Sequence, residues 1–129
     1  MYLFERELYK DPEQDLNSLW WNLVEHFQKV KRPDGRDEPD WATKDHIVSH
    51  PVYYHNYILG ELFYEQLLEK MGEEAGLDPE QVTFIDRPDL GDFLVEKVFK
   101  PGASLQWEEF VKKATGRPFS VDAYSRSLA

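Results

Sequence analysis

Apolar residues recur at helical spacing along almost the whole chain. Leu16, Leu19, Trp20, Leu23, Val24 and Phe27 fall on one helical stripe. Asp11-Pro12-Glu13-Gln14 precedes it and offers an N-cap, a proline at the first helical position and a glutamine at the third. That helix is expected to stop by Pro33, with a turn at Asp34-Gly35. Residues 31 to 50 are polar and carry Pro39, which predicts an ordered loop or a short helical turn around Trp41. Pro51 then opens a long helix that runs to about Glu74 or Ala75. Its apolar residues, among them Val52, Tyr53, Tyr57, Ile58, Leu62, Phe63, Leu67 and Leu68, cover more than one face. A helix that is apolar nearly all round is buried in something larger.

Gly76 to Asp86 reads as a connection with a turn at Asp78-Pro79-Glu80. A further helix starts near Pro88, carries Leu90, Phe93, Leu94, Val98 and Phe99, and ends at Pro101-Gly102. Ser104 is placed to cap the next helix, which contains Leu105, Trp107, Phe110, Val111 and Ala114 and is stopped by Gly116. Ser120 caps a last short helix around Tyr124. No strand alternation, low-complexity tract or internal repeat interrupts this pattern. The fold class is therefore all-α, about five helices, and residues 1–129 are the right length for a single domain.

Composition narrows the function classes. Aromatic residues make up 15% of the chain, too many for a disordered tail. A net charge of -10 argues against nucleic acid, whose phosphates call for Lys and Arg, and against anionic membrane surfaces. The simplest role of the acidity is solubility. The absence of cysteine removes disulfides and thiolate metal sites and fits a cytoplasmic protein. The apolar stretch from Val52 to Leu68 is interrupted by His55, Asn56, Glu61, Glu65 and Gln66, so it is no transmembrane span. The N-terminus has neither a basic start nor an apolar run, so it does not read as a signal peptide.

The chemistry-bearing residues concentrate between Lys44 and Tyr57, where a lysine, three histidines and three tyrosines lead into the long helix. His46 and His50 have the i, i+4 spacing of two metal ligands on a helix. Pro51 disfavours helical geometry at His50, and no H-E-x-x-H is present, so no metal is expected to bind to this chain alone. No serine lies in a G-x-S-x-G context, and the simple role of Ser49 is to cap the helix that follows. No glycine-rich loop precedes a helix, which removes phosphate cradles. Tyr54, Tyr57 and Glu61 share one helical face, as do Tyr53, Tyr57 and Tyr64. Taken alone, tyrosines so spaced form a core with hydroxyls at its rim. On the same footing Lys44 is an ordinary surface lysine, and His26 and His55 are packing or surface histidines. Glu73, Glu74, Asp78 and Glu80 form a solvated edge.

The order of several segments adds to that reading. Trp20-Trp21-Asn22-Leu23-Val24-Glu25-His26-Phe27-Gln28 resembles a W-W-x-L-x-x-x-[YF]-Q helix. Asp40-Trp41-Ala42-Thr43-Lys44-Asp45-His46-Ile47 resembles a D-x-x-A-K-x-H-I segment. Tyr54-His55-Asn56-Tyr57 resembles a Y-x-x-Y pair, and Trp107 to Gly116 a W-x-x-x-[VL]-x-x-x-T-G stretch. Together, and in this order, they resemble the C-terminal part of the gluzincin zinc peptidases that include angiotensin-converting enzyme, a peptidyl-dipeptidase. A more distant likeness extends to the thimet oligopeptidase and oligoendopeptidase F group.

The resemblance implies a C-terminal portion of a larger helical metallopeptidase. Zinc would be bound by the complete parent enzyme, through an H-E-x-x-H and a further Glu upstream, and this chain alone would cleave nothing. Its partners would be a peptide substrate and the remainder of the peptidase chain, and self-association through the uncovered apolar face is expected of the isolated chain. Residue by residue, Lys44 would bind the substrate's terminal carboxylate beside Tyr54 or Tyr53. His46 would donate to a substrate carbonyl, and Tyr57 to the oxyanion of the tetrahedral intermediate. The histidine-to-tyrosine spacing is one residue longer than the family's if Tyr54 and Tyr57 are the pair. Asn56 stands where converting enzymes carry an arginine, which argues against chloride activation, and Asp45 replaces an aromatic residue beside Lys44. Two other readings compete with a peptidase part: an independent helical interaction module and a non-catalytic peptidase homologue.

Overall fold

The computed structural model of the chain describes all residues from 1 to 129. It is all-α, as the periodicity predicts. Helices α1 (Tyr2–Lys10), α2 (Leu16–Leu23), α3 (Asp45–Val48), α4 (His55–Ala75), α5 (Pro88–Leu94), α6 (Trp107–Thr115) and α7 (Asp122–Ser127) follow one another without a strand. The chain divides into two compact units, Met1–Tyr57 and Ile58–Ala129, with the boundary inside the first turn of α4.

The first unit is built on α1, a helix that the apolar pattern does not announce. Phe4 of α1 is fully buried and meets Trp20 edge-on at 5.4 Å between ring centroids and Trp41 at 5.6 Å. Val24, Leu8, Leu19 and Ile47 pack around these rings. The sequence places the α2 cap at Asp11, and the structure corrects this. Asp11 accepts the Glu13 amide in a local turn, while the Gln14 side chain donates back to the Glu7 and Asp11 carbonyls and so closes the end of α1. The true cap is Asp15, whose carboxylate accepts the Ser18 amide at 2.9 Å. α2 continues as a wider π-helical turn, Val24–Gln28, and stops where Lys29 turns left-handed at φ 58°. Trp41 sits in the expected short turn, a 3-10 segment at Asp40–Thr43. The indole N–H donates to the Asn17 side chain at 3.1 Å.

In the second unit, Leu67 and Met71 of α4 pack with Leu90 and Phe93 of α5 and Ala114 of α6. The buried Gln66 satisfies both ends of its amide, donating to the Pro118 carbonyl and accepting the Ser120 amide. Glu69 receives Arg126 through a two-pronged pair and also Arg117, which reaches Glu73 as well. Pro88 opens α5 as expected, and Gly116 ends α6 at φ 79°. Ser120 accepts the Asp122 amide at the start of α7. Ser104, expected to cap α6, does not. The helix begins at Trp107, after Gln106, without a side-chain cap.

α4 ends in a Schellman turn: the Leu77 amide donates back to the Gly72 carbonyl at 2.9 Å across Gly76, whose φ is 65°. A Cβ at Gly72 would lie 2.8 Å from the Leu77 carbonyl oxygen, a backbone atom with nowhere to go, whereas one at Gly60 would meet nothing within 4 Å. Alanine gains roughly 0.5–1 kcal/mol over glycine inside a helix. Gly60→Ala is therefore expected to stabilise the chain by about that amount. Gly72→Ala should destabilise it, because the turn must shift. Denaturant unfolding of the two variants checks the opposite signs, and a gain for Gly72→Ala would contradict the packing described.

Candidate active site

Two short arms of the first unit meet at His46. The first arm is the Asp40–Thr43 turn followed by α3, pinned at both ends by side chains of the aromatic core, Trp41 and Ile47. Lys44 joins the two turns in extended backbone, and its side chain is exposed. The neighbouring Asp45 makes no ion pair with Lys44. It accepts the Ser49 hydroxyl at 2.7 Å and lies 3.5 Å from His50 Nδ1. Ser49 thus closes the turn behind it and does not cap the helix ahead. The ammonium of Lys44 is left free to meet an external anion.

The second arm runs from Pro51 to Tyr57. The sequence opens α4 at Pro51, but α4 begins only at His55. The reason is Val52, which sits in the left-handed region at φ 56° and breaks the helix before it can form. A β-branched residue there costs about 1–3 kcal/mol. The offsetting interaction comes from a distant residue. The Val52 amide donates to the Glu5 carboxylate of α1 at 2.8 Å, and Glu5 is only 4% exposed. A hydrogen bond to a charged group contributes about 1.5–3 kcal/mol, enough to offset the strain.

Across the gap between the arms, His46 Nε2 and the Tyr57 hydroxyl are 3.0 Å apart. The His46 ring meets Tyr54 edge-on at 5.0 Å and Tyr57 at 5.6 Å, and Tyr54 and Tyr57 are 5.4 Å from each other. Tyr53 touches the cluster through Tyr57, at 6.1 Å. Of the two tyrosines that the spacing leaves open, Tyr54 is the one against His46. A neutral imidazole carries one N–H. With the proton on Nε2, His46 donates to the Tyr57 oxygen, and the phenolic O–H is free to donate outward. With the proton on Nδ1, the Tyr57 hydroxyl donates inward to Nε2. The first arrangement presents a polarised phenol to solvent, which is what stabilising a developing oxyanion requires.

The same donors do not assemble as metal ligands. No three His, Asp or Glu side chains of the chain gather in a geometry that could hold a metal ion. His46 Nε2 is turned to Tyr57, His50 to Asp45, and the two imidazoles are 6.2 Å apart. The residues present do not fit a zinc ion by themselves. His55 packs against Tyr2 at 6.0 Å, as a packing histidine would. Glu5 and Val52, which shape the second arm, carry no signal in the sequence. An acidic residue in an N-terminal helix reads as solvated surface, and valine gives no hint of positive φ.

The Ser49 hydroxyl, with His50 and His46 nearby, holds the Asp45 carboxyl below its ordinary value of 3.8 against a smaller opposing effect of desolvation. A depressed carboxyl contributes stability above its unfolded value and loses it as pH falls through the folded one. α3 is therefore expected to loosen only below about pH 4. Ser49→Ala should move the Asp45 midpoint up toward 3.8, followed by carboxyl-carbon NMR. An unchanged midpoint would remove the hydroxyl as the cause.

Comparison with known proteins supplies the family. The family model for peptidase M2, angiotensin-converting enzyme, matches residues 3–125. No curated protein and no solved structure matches the chain. Members of that family are zinc-dependent in general. With the match covering both arms of the site and both compact units, the chain belongs to the angiotensin-converting enzyme family of metallopeptidases.

Proposed function

We propose that this chain is the C-terminal part of a cytoplasmic, zinc-dependent peptidase of the peptidyl-dipeptidase or oligopeptidase type. It supplies the groups that hold the substrate and stabilise the transition state, while the metal ligands lie in the remainder of the peptidase. The observation that carries this reading is the 3.0 Å pairing of His46 Nε2 with the Tyr57 hydroxyl, with Tyr54 stacked edge-on against His46. Three groups that the family resemblance assigns to one substrate converge there from two separate arms of the chain.

In this reading the exposed Lys44 takes the substrate's C-terminal carboxylate, with Tyr54 beside it. His46 donates to a backbone carbonyl of the bound peptide, exchanging its contact with Tyr57 for one with substrate. Catalytic hydrogen bonds of this kind tighten or change partner when substrate arrives. Tyr57 then directs its hydroxyl at the oxyanion that forms as the scissile carbonyl is attacked. A donor held in place before reaction costs no reorganisation at the moment charge develops. The exposed apolar residues of α4, such as Ile58 at 47% and Tyr64 at 50%, support contact with the rest of the peptidase. The absence of cysteine is in keeping with a cytoplasmic setting, and no helix is long and apolar enough to cross a membrane.

Titration of the isotopically labelled chain with a dipeptide, followed by NMR, tests the substrate face. Shifts are expected at Lys44, His46, Tyr54 and Tyr57, and they should disappear when the dipeptide is amidated or Lys44 is changed to Ala. Equal shifts with the amide would rule out carboxylate recognition. Metal analysis after dialysis should find well under one zinc per chain, and one tightly held ion per chain would sink the division of labour proposed.

A further inference from the structure

The buried Glu5 carboxylate accepts one hydrogen bond, from the Val52 amide 47 residues away in sequence, at 2.8 Å. Val52 is also the residue at which the long apolar run starting from Pro51 fails to become helix, because its φ is 56°. The first turn of α4 closes just beyond it, through the Tyr53 carbonyl to the Asn56 amide at 2.9 Å and the Tyr54 carbonyl to the Tyr57 amide at 3.4 Å. The local sequence thus has two ways to run. It can turn at Val52 and start α4 at His55, or it can continue the helix back to Pro51, as the proline and the apolar spacing favour. The second course would keep Tyr54 and Tyr57 on one helical face, but it would remove the turn at Val52 that folds this face back on α3, and so part both tyrosines from His46.

We propose that Glu5 is a positioning residue for the site: by holding the Val52 amide it selects the left-handed turn over the longer helix, and so sets Tyr54 and Tyr57 against His46. Glu5 itself is steadied by its neighbour Phe4, which is fully buried in the aromatic core. The carboxylate takes no part in the chemistry and acts only through the turn. Its bearing on catalysis rests on the proposed function. Its effect on the turn does not.

NMR on the full chain tests it. In Glu5→Ala, the α-carbon shifts of residues 51 to 54 are expected to become helical, with loss of the nuclear Overhauser contacts between His46 and Tyr54. Glu5→Gln keeps a carbonyl acceptor and should retain both the turn and the contacts. Val52→Gly, which favours positive φ, should restore them in the Glu5→Ala background. Glu5→Ala with Val52 still left-handed and its His46 contacts intact would overturn the proposal. So would a Glu5→Ala chain that unfolds and is not recovered by Val52→Gly. In the peptidase that carries this chain, Glu5→Ala should lower kcat by up to about a hundredfold, the scale of a small misplacement of a catalytic group. KM should rise as well, because Tyr54 and His46 also hold the substrate, and Glu5→Gln should keep most of the rate and the original KM. If the NMR outcome holds and the activity does not respond, the proposed function fails and the positioning role stands.

Discussion

The burial of Phe4 between Trp20 and Trp41 is the constraint from which the candidate site follows. A fully buried aromatic side chain contributes about 1.5–3 kcal/mol through its area, and each well-oriented ring pair adds about 0.5–1.5 kcal/mol. The exposed ion pairs of the same unit, such as Lys10 with Glu7, are weak beside that. Phe4 therefore decides how α1 lies against α2 and the Trp41 turn. Trp41 in turn fixes the start of the arm that bears Lys44 and His46, and Ile47 fixes its end. The next residue of α1, Glu5, reaches the other arm through Val52. Two adjacent side chains of one short helix thus hold both halves of the site, one by packing and one by a single charged hydrogen bond.

The polar chemistry is spread thinly over that frame. Asp45 is drawn to Ser49 and His50, which leaves Lys44 without a competing carboxylate next to it. His46 is half-buried between tyrosines, and Tyr57 is 55% exposed, so the hydroxyl is both oriented and open to a ligand. This is an arrangement for receiving charge. It has no nucleophile with an activating base and no set of metal ligands of its own. Membership of the angiotensin-converting enzyme family gives that incomplete chemistry a context.

Much of the fold could be read from local signals. The Trp41 turn, the start of α5 at Pro88 and the glycine stop at Gly116 each depend on residues within a few positions, and each stands where the sequence puts it. The stretch from Lys44 to Tyr57 stands out by its own histidines and tyrosines, but the choice of His46 and Tyr57 within it comes only from the order of several segments. What could not be read depends on contacts distant in sequence or on competition between caps. α1 is stabilised by Phe4 packing on Trp41, far along the chain. Asp11 and Asp15 are both good caps, and Gln14, by closing α1, gives the cap to Asp15. The late start of α4 hangs on Glu5, and no window around Pro51 contains it.

The proposed role of Tyr57 is to face the reacting carbonyl. It is tested most directly by comparing Tyr57→Phe with the unsubstituted form in the peptidase that contains this chain, measuring kcat and KM separately. Loss of one preorganised donor to an oxyanion lowers the rate by about a hundred- to a thousandfold. A fall in kcat of that order is expected with KM nearly unchanged, since the lost bond forms only in the transition state. Equal kcat for the two forms would contradict it and return Tyr57 to the rim of an aromatic core.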